Sequence, residues 1–310
     1  MLLRPRGPAL ALGGLVVALA GCGGGDPAAS PEPTASTDSA DSSPESSPES
    51  SPDSSPESSP ESSLEPSPTR AASLALECHG DGAPTVVFEA GLDTSGDAFA
   101  GLVERIPTSM RVCTYDRAGV GASPPLAVTD PAPWPGSSAD ALVEALAAAG
   151  EQAPYVVVGW SYGGMVAQAF ATRHADVTAG LVLEDSSVPE QLEDPEWGDI
   201  AWVDGGRDVD TRKTVAQLSE IDLGDLPVIV LTQDRLPRRL ATLWDAYHDR
   251  LAGSSTDAVH VRAVGGSHEL HESAQDLVLQ AVEEVAAAAA AGEPLKPCDD
   301  RFADVGGRCL

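Results

Sequence analysis

From Leu74 onward, short apolar runs alternate with stretches that repeat apolar residues at helical spacing. Leu74 to Cys78 reads as a strand and "GDGAP" as a turn. "TVVFEAG" reads as a buried strand ending in a glycine loop, and Ala98 to Ile106 as a helix. "MRVCTYDRAGVGAS" is a strand followed by a glycine-rich turn, and "SADALVEALAAAG" an amphipathic helix closed by Gly150. A strand from Tyr155 to Val158 and a helix from Gly164 follow, then the strand "GLVLEDS". "LPVIVLTQD" gives a further strand, "RLATLWDAYHDRLAG" a helix, "DAVHVRAVGGSHEL" the last strand with its loop, and "DLVLQAVEEVAAAAAAG" a closing helix. Strands that alternate with helices predict an α/β domain: a mainly parallel sheet covered by helices on both faces. Ser187 to Asp225 is too long for a plain connection and is expected to form a small lid. Its Trp197 and Trp202 either face a substrate or pack the lid onto the body.

The pattern changes before Leu74. Arg4 and Arg6 precede an apolar run, Ala9 to Ala20, in the order of a signal peptide expected over residues 1–21. The run is shorter than the roughly 20 residues of a membrane span. Leu19-Ala20-Gly21-Cys22 resembles a bacterial lipobox, and that resemblance implies cleavage before Cys22 and lipidation of its sulfur. From Ser42 to Glu65 the chain repeats Ser-Ser-Pro-Glu, varied only by Asp53 and Leu64. Such a segment has almost no apolar surface to offset its ordering entropy. Residues 22–70 are therefore expected to be a disordered stalk between a lipid anchor and a domain spanning residues 71–310, with a basic partner for the acidic stalk as the competing reading. The expected location is outside the cytoplasmic membrane.

Eighteen Lys and Arg against 48 Asp and Glu leave a net charge of −30, which argues against nucleic acid as a partner and against docking of the domain on anionic lipid. Besides Cys22 the chain has four cysteines, Cys78, Cys113, Cys298 and Cys309. In an exported chain they suggest two disulfides, with three pairings open. Cys298 and Cys309 bracket the short polar tail "CDDRFADVGGRC", which favours their closing it as a loop. The absence of a C-x-x-C pair leaves a zinc site unsupported, and no cofactor is implied.

The most specific chemical pattern is "VVVGWSYGGMVAQAF". It places Gly159-Trp160-Ser161-Tyr162-Gly163 in a tight turn between a buried strand and a helix, the context of a G-x-S-x-G nucleophile elbow. The turn holds the serine in a strained conformation with its hydroxyl facing out, and glycines flank it because side chains there would collide. A serine hydroxyl is a poor nucleophile without a base. Of six histidines, His268 is best placed, after a strand and the flexible Gly265-Gly266-Ser267; His271 is the fallback. His79, His174, His248 and His260 read as surface or packing residues.

"TVVFEAGLDTSGDAF", "RVCTYDRAGVGASPP", "PYVVVGWSYGGMVAQAFATRHADVTAGLVLEDSS" and "VGGSHELHESAQDLV" together resemble, in order, the blocks of the α/β-hydrolase fold family, over roughly Leu74 to Ala291. The Tyr-Asp-Arg-Ala-Gly turn is most similar to its esterase-like branch. The resemblance implies a mostly parallel sheet of the eight-stranded type with a small lid. It implies a serine hydrolase acting through a Ser-acid-His triad and an acyl-enzyme on small-molecule esters or amides. Ser161 and His268 take two of the triad roles. For the acid, Asp185 is preferred and Asp234 is the alternative, because Asp234 comes early relative to the family's usual position. The implied oxyanion hole is the N–H pair of Leu92 and Tyr162; Ala90-Gly91 stands where the family often has His-Gly. Asp116 and Arg117 are expected to form a buried pair that fixes their turn. Cys78 and Cys113 would lie on neighbouring strands, the family's second and fourth. The competing functions are a non-catalytic surface binding protein on the same scaffold, a haloperoxidase- or perhydrolase-like activity, and a peptidase.

Overall fold

The structure, a computed structural model, describes residues 74–310 except Asp199. The expected signal peptide, Cys22 and the stalk lie outside the described residues. In chain order the elements are β1 (Leu76–His79), β2 (Thr85–Glu89), α1 (Ala100–Val103), β3 (Val112–Tyr115), α2 (Pro135–Ala149), β4 (Tyr155–Trp160), α3 (Tyr162–Arg173) and β5 (Thr178–Glu184). They continue with β6 (Val203–Asp204), β7 (Arg207–Asp208), α4 (Thr211–Leu218), β8 (Val228–Thr232), α5 (Arg238–Ala252), β9 (Ala258–Ala263), α6 (Leu270–Ser273), α7 (Gln275–Ala291) and β10 (Gly307–Cys309).

The eight-stranded sheet runs β1-β3-β2-β4-β5-β8-β9-β10. Its six inner strands are parallel, and both edge strands are antiparallel to their neighbours. Strands covered on both faces need apolar residues at every position, and β2, β4 and β8 are buried throughout. The two faces serve separate cores. Val157 of β4 packs with α2, α3 and α5 on one side. Val156 and Val158 pack with Phe88, Phe99, Phe302 and α7 on the other.

The structure departs from the sequence reading in three places. The expected helix from Ala98 to Ile106 is a 3-10 turn, Gly96–Phe99, leading into the single α-turn of α1. Gly96 explains the early start: a Cβ there would lie 2.8 Å from the Tyr115 carbonyl oxygen, so the turn packs directly on β3. The C-terminal tail is more than a loop, since β10 adds a strand to the sheet edge against Val261–Ala263 of β9. By contrast, Cys78 and Cys113 lie on neighbouring strands as expected, facing each other across β1 and β3, and are bonded to one another. Cys298 and Cys309 form the second disulfide. Last, Asp116 and Arg117 do not pair. Asp116 accepts N–H bonds from Gly96 (2.9 Å) and Ala122 (2.8 Å), while Arg117 turns the opposite way into the protein.

The 187–225 segment holds two 3-10 turns, the β6–β7 hairpin and α4. Trp197 packs on Trp244 of α5, with ring centroids 4.6 Å apart, and Trp202 faces Tyr162 at 6.4 Å. Among the described residues no helix is long and apolar enough to cross a membrane.

Candidate active site

The parallel strands all end on one side of the sheet, and the loops that leave those ends carry the site. Ser161 follows β4 directly, with φ 54° and ψ −124°, a region that side chains rarely adopt. Its backbone is held from three directions. Its N–H donates to the Glu184 carbonyl (3.1 Å), and its own carbonyl accepts from Gly164 (2.9 Å) and Ser187 (2.8 Å). The flanking glycines permit this approach. A Cβ on Gly163 would sit 2.2 Å from the Glu89 carbonyl oxygen, and one on Gly159 2.6 Å from that of Gly163.

Asp185 follows β5, also at positive φ (42°), and is fully buried. Its carboxylate receives the Gln233 N–H (2.9 Å), Gln233 Nε2 (2.7 Å) and Trp244 Nε1 (2.8 Å). Its Oδ2 lies 2.6 Å from His268 Nδ1. A carboxylate can only accept, so Nδ1 carries the ring proton; Nε2, 3.0 Å from Ser161 Oγ, is then the free lone pair in the neutral ring. Burial opposes charging of His268. The hydrogen bond and the negative charge of Asp185 outweigh it and raise the histidine above its ordinary 6.5.

The other expected residues fall elsewhere. Asp234 accepts the Gly265 N–H (3.1 Å) and donates its own N–H to the Gly266 carbonyl (3.0 Å), so it shapes the loop that carries His268. His271 is buried beside Glu184, whose Oε1 accepts from its backbone N–H (2.7 Å) and meets its Nδ1 (2.6 Å). His248 and His260 are buried around Thr232, and His248 Nε2 reaches the Ser186 carbonyl at 2.9 Å. Cys78, Cys113 and Glu151 converge, but both sulfurs are spent in the disulfide and offer no thiolate to a metal.

The candidate oxyanion donors sit on the two sides of Ser161. Tyr162 opens α3, where the helix's first N–H groups have no helical acceptor and the dipole favours an anion. Leu92 lies in the loop after β2, beside Gly91, whose Cα lies so close to the Trp160 ring that a Cβ would stand 2.8 Å from it. Trp160 in turn donates its indole N–H to the His268 carbonyl (2.9 Å), which positions the histidine loop from below.

Beneath the Leu92 loop lies a charged cluster that the sequence reading did not find. Arg117 forms buried ion pairs with Glu89 (2.6 Å) and with Asp204 of β6 (2.7 Å). Burial pushes Glu89 up to about 7, against the opposing pull of Arg117. Glu89 and Glu184 each follow a run of buried apolar residues at the end of a strand, and a charge in that place was the available cue. Asp204 had none, because its role depends on how the hairpin docks.

Residues 84–261 match the alpha/beta hydrolase fold family. Uncharacterized protein YqjL of Bacillus subtilis (strain 168) is 26% identical over 223 residues, 68% of this chain and 86% of that protein. The pimeloyl-[acyl-carrier protein] methyl ester esterase of Chromobacterium violaceum is 38% identical over 125 residues, 40% of this chain and 45% of that enzyme. Among solved structures, an esterase from Thermogutta terrifontis superposes with a TM-score of 0.55 at 20% identity, covering 70% of this chain and 93% of its own. The chain therefore belongs to the alpha/beta hydrolase fold family and is a hydrolase.

The packing around the elbow sets a direct test. Gly163→Ala drives a Cβ into two backbone carbonyls, which cannot rotate away. It is expected to cost about 1–3 kcal/mol in urea unfolding. Gly101→Ala meets only the end of the Gln275 side chain, at 3.6 Å, and is expected to be neutral or slightly stabilising.

Proposed function

We propose that the protein hydrolyses carboxylic esters of small molecules through an acyl-enzyme on Ser161. The observation that carries this reading is the continuous contact from Ser161 Oγ to His268 Nε2 (3.0 Å) and from His268 Nδ1 to Asp185 Oδ2 (2.6 Å). Ser161 Oγ attacks the ester carbonyl while His268 Nε2 takes its proton. Asp185 keeps the imidazole in the tautomer that can accept that proton and stabilises the imidazolium that results. The oxygen of the tetrahedral intermediate becomes an anion, received by the N–H groups of Leu92 and Tyr162. Collapse expels the alcohol, which takes the proton from His268. Water then repeats the sequence on the acyl-enzyme and releases the acid. The similarity to a methyl ester esterase supports esters over other acyl derivatives.

We also propose that the domain works outside the cytoplasmic membrane, tethered through a lipid on Cys22. The lipobox-like Leu19-Ala20-Gly21-Cys22 supports this, as do the two disulfides, which persist in oxidising compartments. Full-length protein expressed in a bacterium is expected to partition into the detergent phase, and Cys22→Ala into the aqueous phase. Equal partition of the two would refute the tether.

A fluorophosphonate probe is expected to label the wild type and leave Ser161→Ala unlabelled. Asp185→Asn keeps the shape but allows the wrong tautomer, and kcat is expected to fall by about 10⁴. Asp234→Asn should stay within a few-fold; comparable losses in both would reassign the acid.

Catalysis needs neutral His268, so activity is lost as pH falls through its pKa. Because Asp185 raises that pKa, the acid limb of kcat/KM is expected to have its midpoint above 6.5. A midpoint below that value would contradict the His268–Asp185 pair.

A further inference from the structure

Arg117 is 2% exposed, and all five of its N–H groups have an acceptor. Nε donates to Asp204 Oδ2 (2.9 Å), and Nη1 to Glu89 Oε1 (2.6 Å) and to the Ala90 carbonyl (2.7 Å). Nη2 donates to the Gly91 carbonyl (2.5 Å) and to Asp204 Oδ1 (2.7 Å). Two of these acceptors are therefore main-chain oxygens of the loop that carries Leu92.

The geometry of one peptide group makes this consequential. The carbonyl of Gly91 and the N–H of Leu92 belong to the same planar trans unit, so they point in opposite directions. A cation gripping the carbonyl fixes the direction of the N–H on the other side. It also polarises the amide and strengthens the N–H as a donor. The next peptide group is held as well. The Asp93 N–H donates to Asp204 Oδ1 (2.9 Å), and the Leu92 carbonyl accepts from Thr94 Oγ1 (3.0 Å). Both peptide groups flanking the Leu92 Cα are thus pinned, the second by the carboxylate of Asp204 directly and the first through the Arg117 that this carboxylate binds.

We propose that Arg117 is the positioning residue of the oxyanion hole: by holding the Gly91 carbonyl it aims the Leu92 N–H toward Ser161, and the lid residue Asp204 holds the guanidinium in place for it. This rests on the reading of Leu92 as an oxyanion donor. The lid hairpin is then a structural part of the catalytic apparatus. Its tip is seated tightly enough that a Cβ on Gly205 would lie 2.1 Å from the Ala118 carbonyl oxygen. Gly205 also donates its N–H to Asp93 Oδ1 (3.1 Å), which ties the hairpin to the loop a second time.

The test compares Arg117→Lys, Asp204→Asn and Val285→Ala with the wild type on a p-nitrophenyl ester. Lysine keeps the charge but not the fork that spans these acceptors. Asparagine turns one acceptor of the guanidinium into a donor. Val285 is buried in α7 on the far face of the sheet and serves as a variant destabilised without touching the site. Rates are normalised to folded protein by circular dichroism, and affinity for a boronic acid that mimics the tetrahedral adduct is measured alongside.

In Arg117→Lys, kcat is expected to fall about 10²-fold, the lower end of the effect of losing one oxyanion donor. The fall in Asp204→Asn should be smaller, with KM near the wild-type value in both and boronate affinity falling in step with kcat. If Arg117→Lys does not fold, Asp204→Asn decides the question. A kcat per folded molecule equal to that of Val285→Ala, or a loss confined to KM, overturns the proposal. A wild type that neither hydrolyses esters nor reacts with a fluorophosphonate overturns the ester-hydrolase reading and this proposal with it. An active wild type with unaffected variants overturns this proposal alone.

Discussion

A fully buried carboxylate needs donors on every lone pair it presents, and Asp185 has them. Its donors come from three places: Gln233 just after β8, Trp244 in α5, and His268 in the loop after β9. Losing any one of these donors leaves a buried carboxylate short of a partner. The requirement to satisfy Asp185 therefore fixes the relative positions of three segments far apart in the chain. The position of His268 over Ser161 follows from it. The backbone bears a cost to meet that requirement, because Asp185 is one of three non-glycine residues held at positive φ among the described residues.

Ser161 is another of the three, and the two strained residues are coupled. Ser161 and Asp185 end adjacent parallel strands, and the Ser161 N–H bonds to Glu184, the residue just before Asp185. The Ser161 carbonyl takes the Ser187 N–H in return. Strain at one position is held by hydrogen bonds to the neighbourhood of the other, so the two side chains are set as a unit. Trp160 extends that unit to the histidine loop through the His268 carbonyl.

The strands, the elbow and the pairing of Ser161 with His268 were legible in the sequence, because each rests on local information: apolar runs, flanking glycines, a loop with a histidine. Asp185 is the one of the two aspartates within hydrogen-bond distance of His268. This could not be read from spacing alone, since both aspartates end a buried strand and differ only in which way the loop after β9 folds. The expected Asp116–Arg117 pair failed for a related reason. Adjacent residues in an extended turn point to opposite sides, and Arg117 found its carboxylates on β2 and on a hairpin 87 residues later. No local pattern announces Asp204. The strand β10 was missed because "GRC" is three residues long and has no alternation to detect; its pairing depends on an edge that the rest of the sheet creates.

The contact of Gly205 with Ala118 and Gly119 also bears on modularity. At Gly119 a Cβ would stand 2.6 Å from the Gly205 carbonyl oxygen, so the hairpin tip and the turn after β3 interlock through bare backbone. A cap borrowed from another hydrolase would need a residue without a side chain to fit this socket and a carboxylate beside it. Chimeras made at the ends of β5 and β8 should accordingly carry the Asp204-Gly205 pair with the host scaffold and exchange only the residues around it.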